Sequence, residues 1–357
     1  MGIAIADCLA STSLRLTREA ASVMGELLPG AAQTEWRELE NKLHAFEWFT
    51  FAGARLGRPA PIVEQVRRAA ALADPFTGLW ATEGLGYAYA FAGGDGAAGE
   101  PPRRLLAADR LAGLPDAALV PIRTGSALAV AERLLTRFDR GAGGDRALVW
   151  SWLEHCQDDA RPGFRELAVE ALGLVARQLQ PYRLGGLDEL LAAADPALPE
   201  YFWHGVGRGL YFAPTHLMPW SAGWGRAFAK ALSEPRRASG RVNAVAGLGW
   251  ALTLVNLRSP AVVEAAVWGC GDNPEVAAGF AHGAACALLV WRHWAGAEEG
   301  LLDRFLDYCP DRDDRWRRWH RWRQWIVDPC RAALAASGRD LRRQSDLASL
   351  FRLQEPS

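Results

Sequence analysis

Lysine is almost missing from this chain: Lys42 and Lys230 stand alone among 40 basic residues. With abundant alanine and glycine, that skew points to a GC-rich bacterial coding bias, which carries no mechanism. Net charge is nearly absent too, at −1. No whole-protein field therefore selects nucleic acid or an anionic membrane. No apolar run approaches the roughly 20 residues needed to span a bilayer. The apolar stretch from Met1 to Ala10 has no basic region and meets Asp7, so it does not read as a signal peptide. None of the six cysteines (Cys8, Cys156, Cys270, Cys286, Cys309, Cys330) forms a CxxC pair. That spacing argues against a zinc site and against a dense disulfide framework, and leaves free thiols in a reducing cytoplasm.

Alternating β-branched runs are nearly absent, which excludes much strand. Walker A, GxSxG and HExxH are absent. GVGRG at Gly205–Gly209 follows no predicted strand, so a dinucleotide reading fails on context. The sequence names no cofactor and no metal.

Helical patterning is what the chain does have. Ser126–Phe138 carries apolar residues at helical spacing. Pro162, Pro260 and Asn273-Pro274 each head an amphipathic run, proline being favoured in a first helical turn. Loops are expected at 93–103, 141–145 and 233–240. Half the residues are apolar and 23% charged, the balance of a globular protein. Tryptophan is in excess, at 16 residues. So many large aromatic faces either fill a core or line a pocket for a flat, greasy ligand.

A short glycine motif recurs: GLGYA at Gly84, GSALA at Gly125, GVGRG at Gly205, GLGWA at Gly247 and GAACA at Gly283. The spacing is near 40 residues, or twice that between Gly125 and Gly205, where Gly163 stands as a degenerate copy. That period accommodates two helices and two turns. The expected fold is all-α: about six helical repeats, forming an α/α toroid or a HEAT-like solenoid. Residues 1–70, with Phe46, Trp48, Phe49 and Phe51, read as an N-terminal helical cap or imperfect repeat. Residues 71–349 form the repeat domain, and 350–357 a frayed tail.

Equivalent repeats put the residues before the glycines at equivalent places: Glu83, Thr124, Pro162, His204, Ala246 and His282. In a toroid these converge, making Glu83, His204 and His282 acid/base candidates. Otherwise they cap helices or meet solvent at turns. Arg123 and Arg208 could hold an anionic group. The segment Tyr201–Trp224 is dense in aromatics. Its Trp203, Tyr211 and Trp220, with Trp250 of GLGWA, are candidate substrate-binding residues, or else a packed helix junction. Trp316, Trp319, Trp322 and Trp325 lie three apart among arginines. They read as a docked tryptophan stripe with arginine facing water, or as a basic patch for an acidic partner such as an acyl carrier protein. Asp311–Asp314 spells the D-x-D-D acid of class II terpene cyclases, with Asp313 the candidate proton donor. The arginine-rich setting argues for coincidence.

HGVGRGLYFAP (His204–Pro214), NAVAGLGWALTLVNLRSP (Asn243–Pro260), GFAHGAACAL (Gly279–Leu288) and PIRTGSALAVAERLL (Pro121–Leu135) resemble an uncharacterised-domain family. That family is encoded beside the polyketide synthases of enediyne antibiotic clusters and related bacterial clusters. The resemblance runs from about residue 75 onward. It implies a role in maturing a linear conjugated polyene into a natural-product core. The leading expectation is a cytoplasmic enzyme or accessory enzyme acting on a hydrophobic polyene or polyketide, with an acyl carrier protein or polyketide synthase as the partner to look for. It brings no catalytic residues. The alternatives are an isoprenoid cyclase with an aromatic pocket, or a non-catalytic repeat scaffold.

Overall fold

The computed structural model describes residues 2–56, 60–92, 113–139, 144–159, 163–213, 223–296, 300–310, 314–336 and 348–353. Among them the chain is all-α, without a strand. Two long helices, α1 (Gly2–Leu27) and α2 (Gly30–Arg55), are followed by α3 (Ile62–Ala70), α4 (Pro75–Phe91) and α5 (Leu119–Asp139). Then come α6 (Asp145–Asp159), α7 (Phe164–Leu179), α8 (Leu184–Ala194), α9 (Leu198–Tyr211), α10 (Gly223–Ser233) and α11 (Ala238–Val255). The last are α12 (Pro260–Gly269), α13 (Pro274–Ala295), α14 (Leu301–Leu306), α15 (Arg315–Trp322) and α16 (Asp328–Ala336).

The starts follow local chemistry. Asp74 caps α4 by accepting from the backbone N–H groups of Phe76 and Thr77, and Asn273 caps α13 through Glu275 and Val276. Each is followed by proline at the first helical position, where a missing N–H costs nothing. The expected starts at Pro260 and Pro274 are observed. Pro162 and the whole loop expected at 93–103 lie outside the described residues.

The glycines pack helix against helix. Gly84, Gly125, Gly205, Gly247 and Gly283 lie within α4, α5, α9, α11 and α13 rather than at turns. A Cβ at Gly125 would fall 1.8 Å from the carbonyl oxygen of Glu83 in α4. At Gly205 it would fall 1.7 Å from that of Glu170 in α7, and at Gly247 1.8 Å from that of His204 in α9. At Gly283 it would fall 2.0 Å from that of Ala246 in α11. Two residues further on, Gly86, Gly173 and Gly207 approach the carbonyls of Ile122, Phe202 and Ala244 in the next helix. Backbones this close exclude any side chain, and that is the reason for glycine inside helices that alanine would otherwise favour.

This geometry corrects the register. Gly163 is not the degenerate copy: it precedes α7 with a left-handed φ of 92°. The matching position is Ala171, because Gly205 meets the residue just before it, Glu170, as the other glycines do.

The row α4, α5, α7, α9, α11, α13 carries the core. In α9 every residue but Glu200 is buried, and α11 is buried from Asn243 to Val255. Helices apolar all round belong inside a protein. α13 also reaches α4: the Trp294 indole N–H donates to the carbonyl of Pro75 at 2.7 Å. α13 is long and apolar enough to cross a membrane, but 67% of its apolar window is buried in the fold. The tail expected to fray from residue 350 is docked at its start. Leu350 and Phe351 are buried, and the Leu353 N–H donates to the Asn243 side chain at 2.7 Å.

Candidate functional site

α7 and α9 meet backbone to backbone at Gly205, and their Glu170, His204 and Arg208 side chains gather with Glu83 of α4 into one group of four ionisable residues. Glu83, Glu170 and His204 each stand just before a register position, and Arg208 lies one turn beyond His204. Glu170 and His204 are 0% exposed, Arg208 1% and Glu83 5%. Groups this deep are stable only when paired. Arg208 Nη1 donates to both Glu170 oxygens, at 2.9 and 3.1 Å. His204 Nδ1 lies 3.2 Å from Glu170 Oε1. Arg208 Nη2 is 3.6 Å from Glu83 Oε1, a longer contact. The guanidinium rests 4.3 Å from the centre of the Trp250 ring, a cation–π contact.

The two carboxyls are driven apart by their partners. Burial pushes the Glu83 carboxyl up to about 7; Arg208 opposes that shift and Glu170 adds to it. Burial also pushes Glu170 upward, but Arg208 and the His204 hydrogen bond outweigh it and hold Glu170 below the usual carboxylate range. Burial lowers His204, against the pull of Glu170. The result is a charged Glu170–Arg208 pair beside a Glu83 that exchanges its proton near neutral pH. Such splitting of paired carboxyls separates an acid from a fixed charge.

Glu83 and Arg208 also border a cavity of about 350 Å³. Its walls are aromatic and aliphatic: Phe46 and Phe49 from α2, Trp80 from α4, Leu128 from α5, Leu174 from α7, and Phe212 just after α9. Glu83 and Arg208 are the charged members of that lining, and Gln178 adds an amide that already donates to the Gly209 carbonyl at 2.6 Å. The Trp80 indole N–H is buried without an acceptor.

The sequence candidates separate accordingly. Glu83, His204 and Arg208 share one cluster, and Trp250 braces Arg208. His282 is not in the cavity lining; its Nε2 lies 3.6 Å from the Cys286 thiol, and burial, with a smaller push from His204, holds it down at about 4. Trp203 is not in this cavity's lining either: its indole N–H donates to Asp188 in α8 at 2.9 Å. Tyr211 is buried with its hydroxyl accepting from Asn256 at 2.7 Å and Lys42 4.1 Å from its ring centre. Its neighbour Phe212 is the one that lines the cavity. Arg123 is buried in α5 and is not part of that lining. Asp313 and Trp220 lie outside the described residues.

Glu170 was missed because alanine, not glycine, follows it in α7. Allowing alanine at the first small position would have found Ala171-Leu172-Gly173. Phe46 and Phe49, assigned to a cap, are pocket wall. The expectation of a docked tryptophan stripe with arginine outward is half reversed. Trp322 and Trp325 are buried, but Trp316 is 74% exposed. Arg318 turns inward to Glu264 at 2.7 Å.

Among the described residues no group of three or more histidine, cysteine, aspartate or glutamate side chains is arranged to hold a metal. Comparison with known proteins returns no matching family model, no matching curated protein and no matching solved structure.

Proposed function

We propose that the chain binds a hydrophobic polyene or polyketide-derived molecule in the aromatic cavity and moves a proton on it through Glu83. The reading places it in bacterial natural-product biosynthesis, at a cyclisation or double-bond maturation step. One observation carries the chemistry: a greasy cavity bordered by a carboxyl that titrates near 7 beside a guanidinium neutralised by another carboxylate. A general acid works best with its pKa near the working pH. Glu83 can give its proton to one carbon of a conjugated chain and, as carboxylate, remove one from another. The net change is isomerisation or ring closure, and no redox partner is consumed.

The biosynthetic setting rests on the resemblance of the glycine motifs to the enediyne-cluster family. A cytoplasmic location and an acyl carrier protein partner belong to the same proposal. The exposed Trp316, between exposed Arg315 and Arg317, is the surface that such an acidic partner would meet. A closed helix row around Arg208 is also part of the proposal, supported by the α13–α4 contact.

The test is deletion of the gene with metabolite profiling, then complementation by wild type and Glu83→Gln. A hydrophobic intermediate should accumulate on deletion, and Glu83→Gln should fold yet fail to clear it. Full rescue by Glu83→Gln would remove the proton role. An unchanged metabolite profile on deletion would remove the biosynthetic role.

A further inference from the structure

We infer that the ligand of this cavity carries a neutral carbonyl, a ketone or aldehyde conjugated to its hydrophobic body, seated against Glu83 and Arg208. The inference rests on the pocket reading above and narrows its ligand class.

Arg208, Glu83 and Gln178 are the hydrogen-bonding side chains at the polar end of the cavity. Arg208 is donor-only. Its Nη1 is committed to Glu170, while its Nη2 has Glu83 no closer than 3.6 Å. Glu83 in its protonated form adds an O–H donor. Gln178 has spent one of its amide N–H groups on Gly209. The charged corner formed by Arg208 and Glu83 offers a ligand donors, and what it asks for is an acceptor.

Charge decides which acceptor. One cation, Arg208, already faces two carboxyl groups, Glu83 and Glu170, at 3.6 and 2.9 Å. A ligand carboxylate would be a third acid for one guanidinium, set against an apolar wall of Phe46, Phe49 and Leu128. Burying an unpaired charge there is costly. A carbonyl oxygen adds no charge, and its two lone pairs can accept from Glu83 and Arg208 together.

The charged groups set against Glu83 are Arg208 from α9 and Glu170 from α7, with His204 acting through Glu170. α2 and α5 present Phe49 and Leu128 to the cavity. Ionisation of Glu83 removes the O–H donor and sets a negative oxygen against the carbonyl. Carbonyl recognition must then weaken as pH rises through neutrality.

Prodan, a flat hydrophobic aromatic ketone whose emission shifts when its carbonyl accepts a hydrogen bond, is a direct probe. It is compared with 2-dimethylaminonaphthalene, which lacks the carbonyl, and with cis-parinaric acid, a polyene carboxylate. At about pH 6 the wild-type chain should prefer prodan to the ketone-free naphthalene by about tenfold, the worth of one buried hydrogen bond. That ratio should fall by about pH 8.5, where Glu83 has lost its O–H and Arg208 is the remaining donor. Glu83→Gln keeps an N–H donor and should make the ratio independent of pH. Leu128→Trp, which fills the cavity without touching the cluster, should abolish binding of every probe.

Equal affinity for prodan and the naphthalene at about pH 6, or a pH dependence that survives in Glu83→Gln, overturns the carbonyl assignment and leaves the pocket standing. Preference for parinaric acid over prodan does the same and assigns an anionic ligand instead. Failure of all three probes to bind, or binding untouched by Leu128→Trp, removes the pocket reading together with the carbonyl.

Discussion

Replacing Gly205 by alanine sets a methyl carbon 1.7 Å from the carbonyl oxygen of Glu170. An ordinary contact needs about 1.5 Å more, so α9 and α7 must separate by roughly that much. The obstacle is backbone, with carbon atoms and the Leu174 N–H close behind, so no rotamer change relieves it. The displacement also falls on the Arg208–Glu170 contacts at 2.9 and 3.1 Å, which join the same two helices. Breaking a buried ion pair costs about 3–5 kcal/mol. The better helix propensity of alanine returns only about 1 kcal/mol. A net loss of about 2–4 kcal/mol follows, and with it a drop in melting temperature of about 3–5 °C for a chain of this length. The matched control is Gly225→Ala in α10, where an added Cβ meets nothing within 4 Å. That change should stabilise by about 0.5–1 kcal/mol. Urea unfolding followed by circular dichroism measures both. A Gly205→Ala chain within about 1 kcal/mol of wild type would refute the close-approach argument, as would an equal loss in the Gly225 control.

Glu83→Gln should change stability in a pH-dependent way. The folded carboxyl is raised from 4.5 to about 7, so the native state holds its proton more tightly than the unfolded chain. Stability from this group is complete below about 4.5 and is lost as pH rises to about 7. The loss is on the order of 3 kcal/mol, from 1.36 kcal/mol per pKa unit. The substituted amide cannot ionise, so urea midpoints should favour the variant above neutral pH and converge with wild type in acid; a constant difference would sink the assignment. Phe351→Ala should cost about 3 kcal/mol or more, because Phe351 is 1% exposed and packs on the rings of His204 and Trp250. A melting temperature unchanged by that substitution would mean the docked tail contributes nothing in solution.

Much of the architecture is written locally. Asn273-Pro274 and Pro260 start helices because the cap side chain and the proline ring act within one turn. The glycine positions were readable for a related reason: glycine inside a helix costs stability everywhere except where a backbone must come close. The same logic hid Glu170. Alanine is a common helix residue, so Ala171 carries no mark of a close approach, and only the Glu170–Gly205 contact reveals it. Phe46 and Phe49 were visible as an aromatic cluster, but nothing local tells a cap from a pocket wall.

By itself, then, the sequence determined helix type, helix starts and the glycine positions where backbones meet, because each is settled within a few residues. Tertiary structure alone decided which ionisable groups share a site. Glu83 and Arg208 are separated by more than a hundred residues along the chain, and three helices must pack before one faces the other. It also decided the fate of the tryptophans: Trp250 supports Arg208, Trp203 holds Asp188, and Trp316 stands in solvent. Their chemistry is identical, and only the neighbours brought by the fold distinguish them.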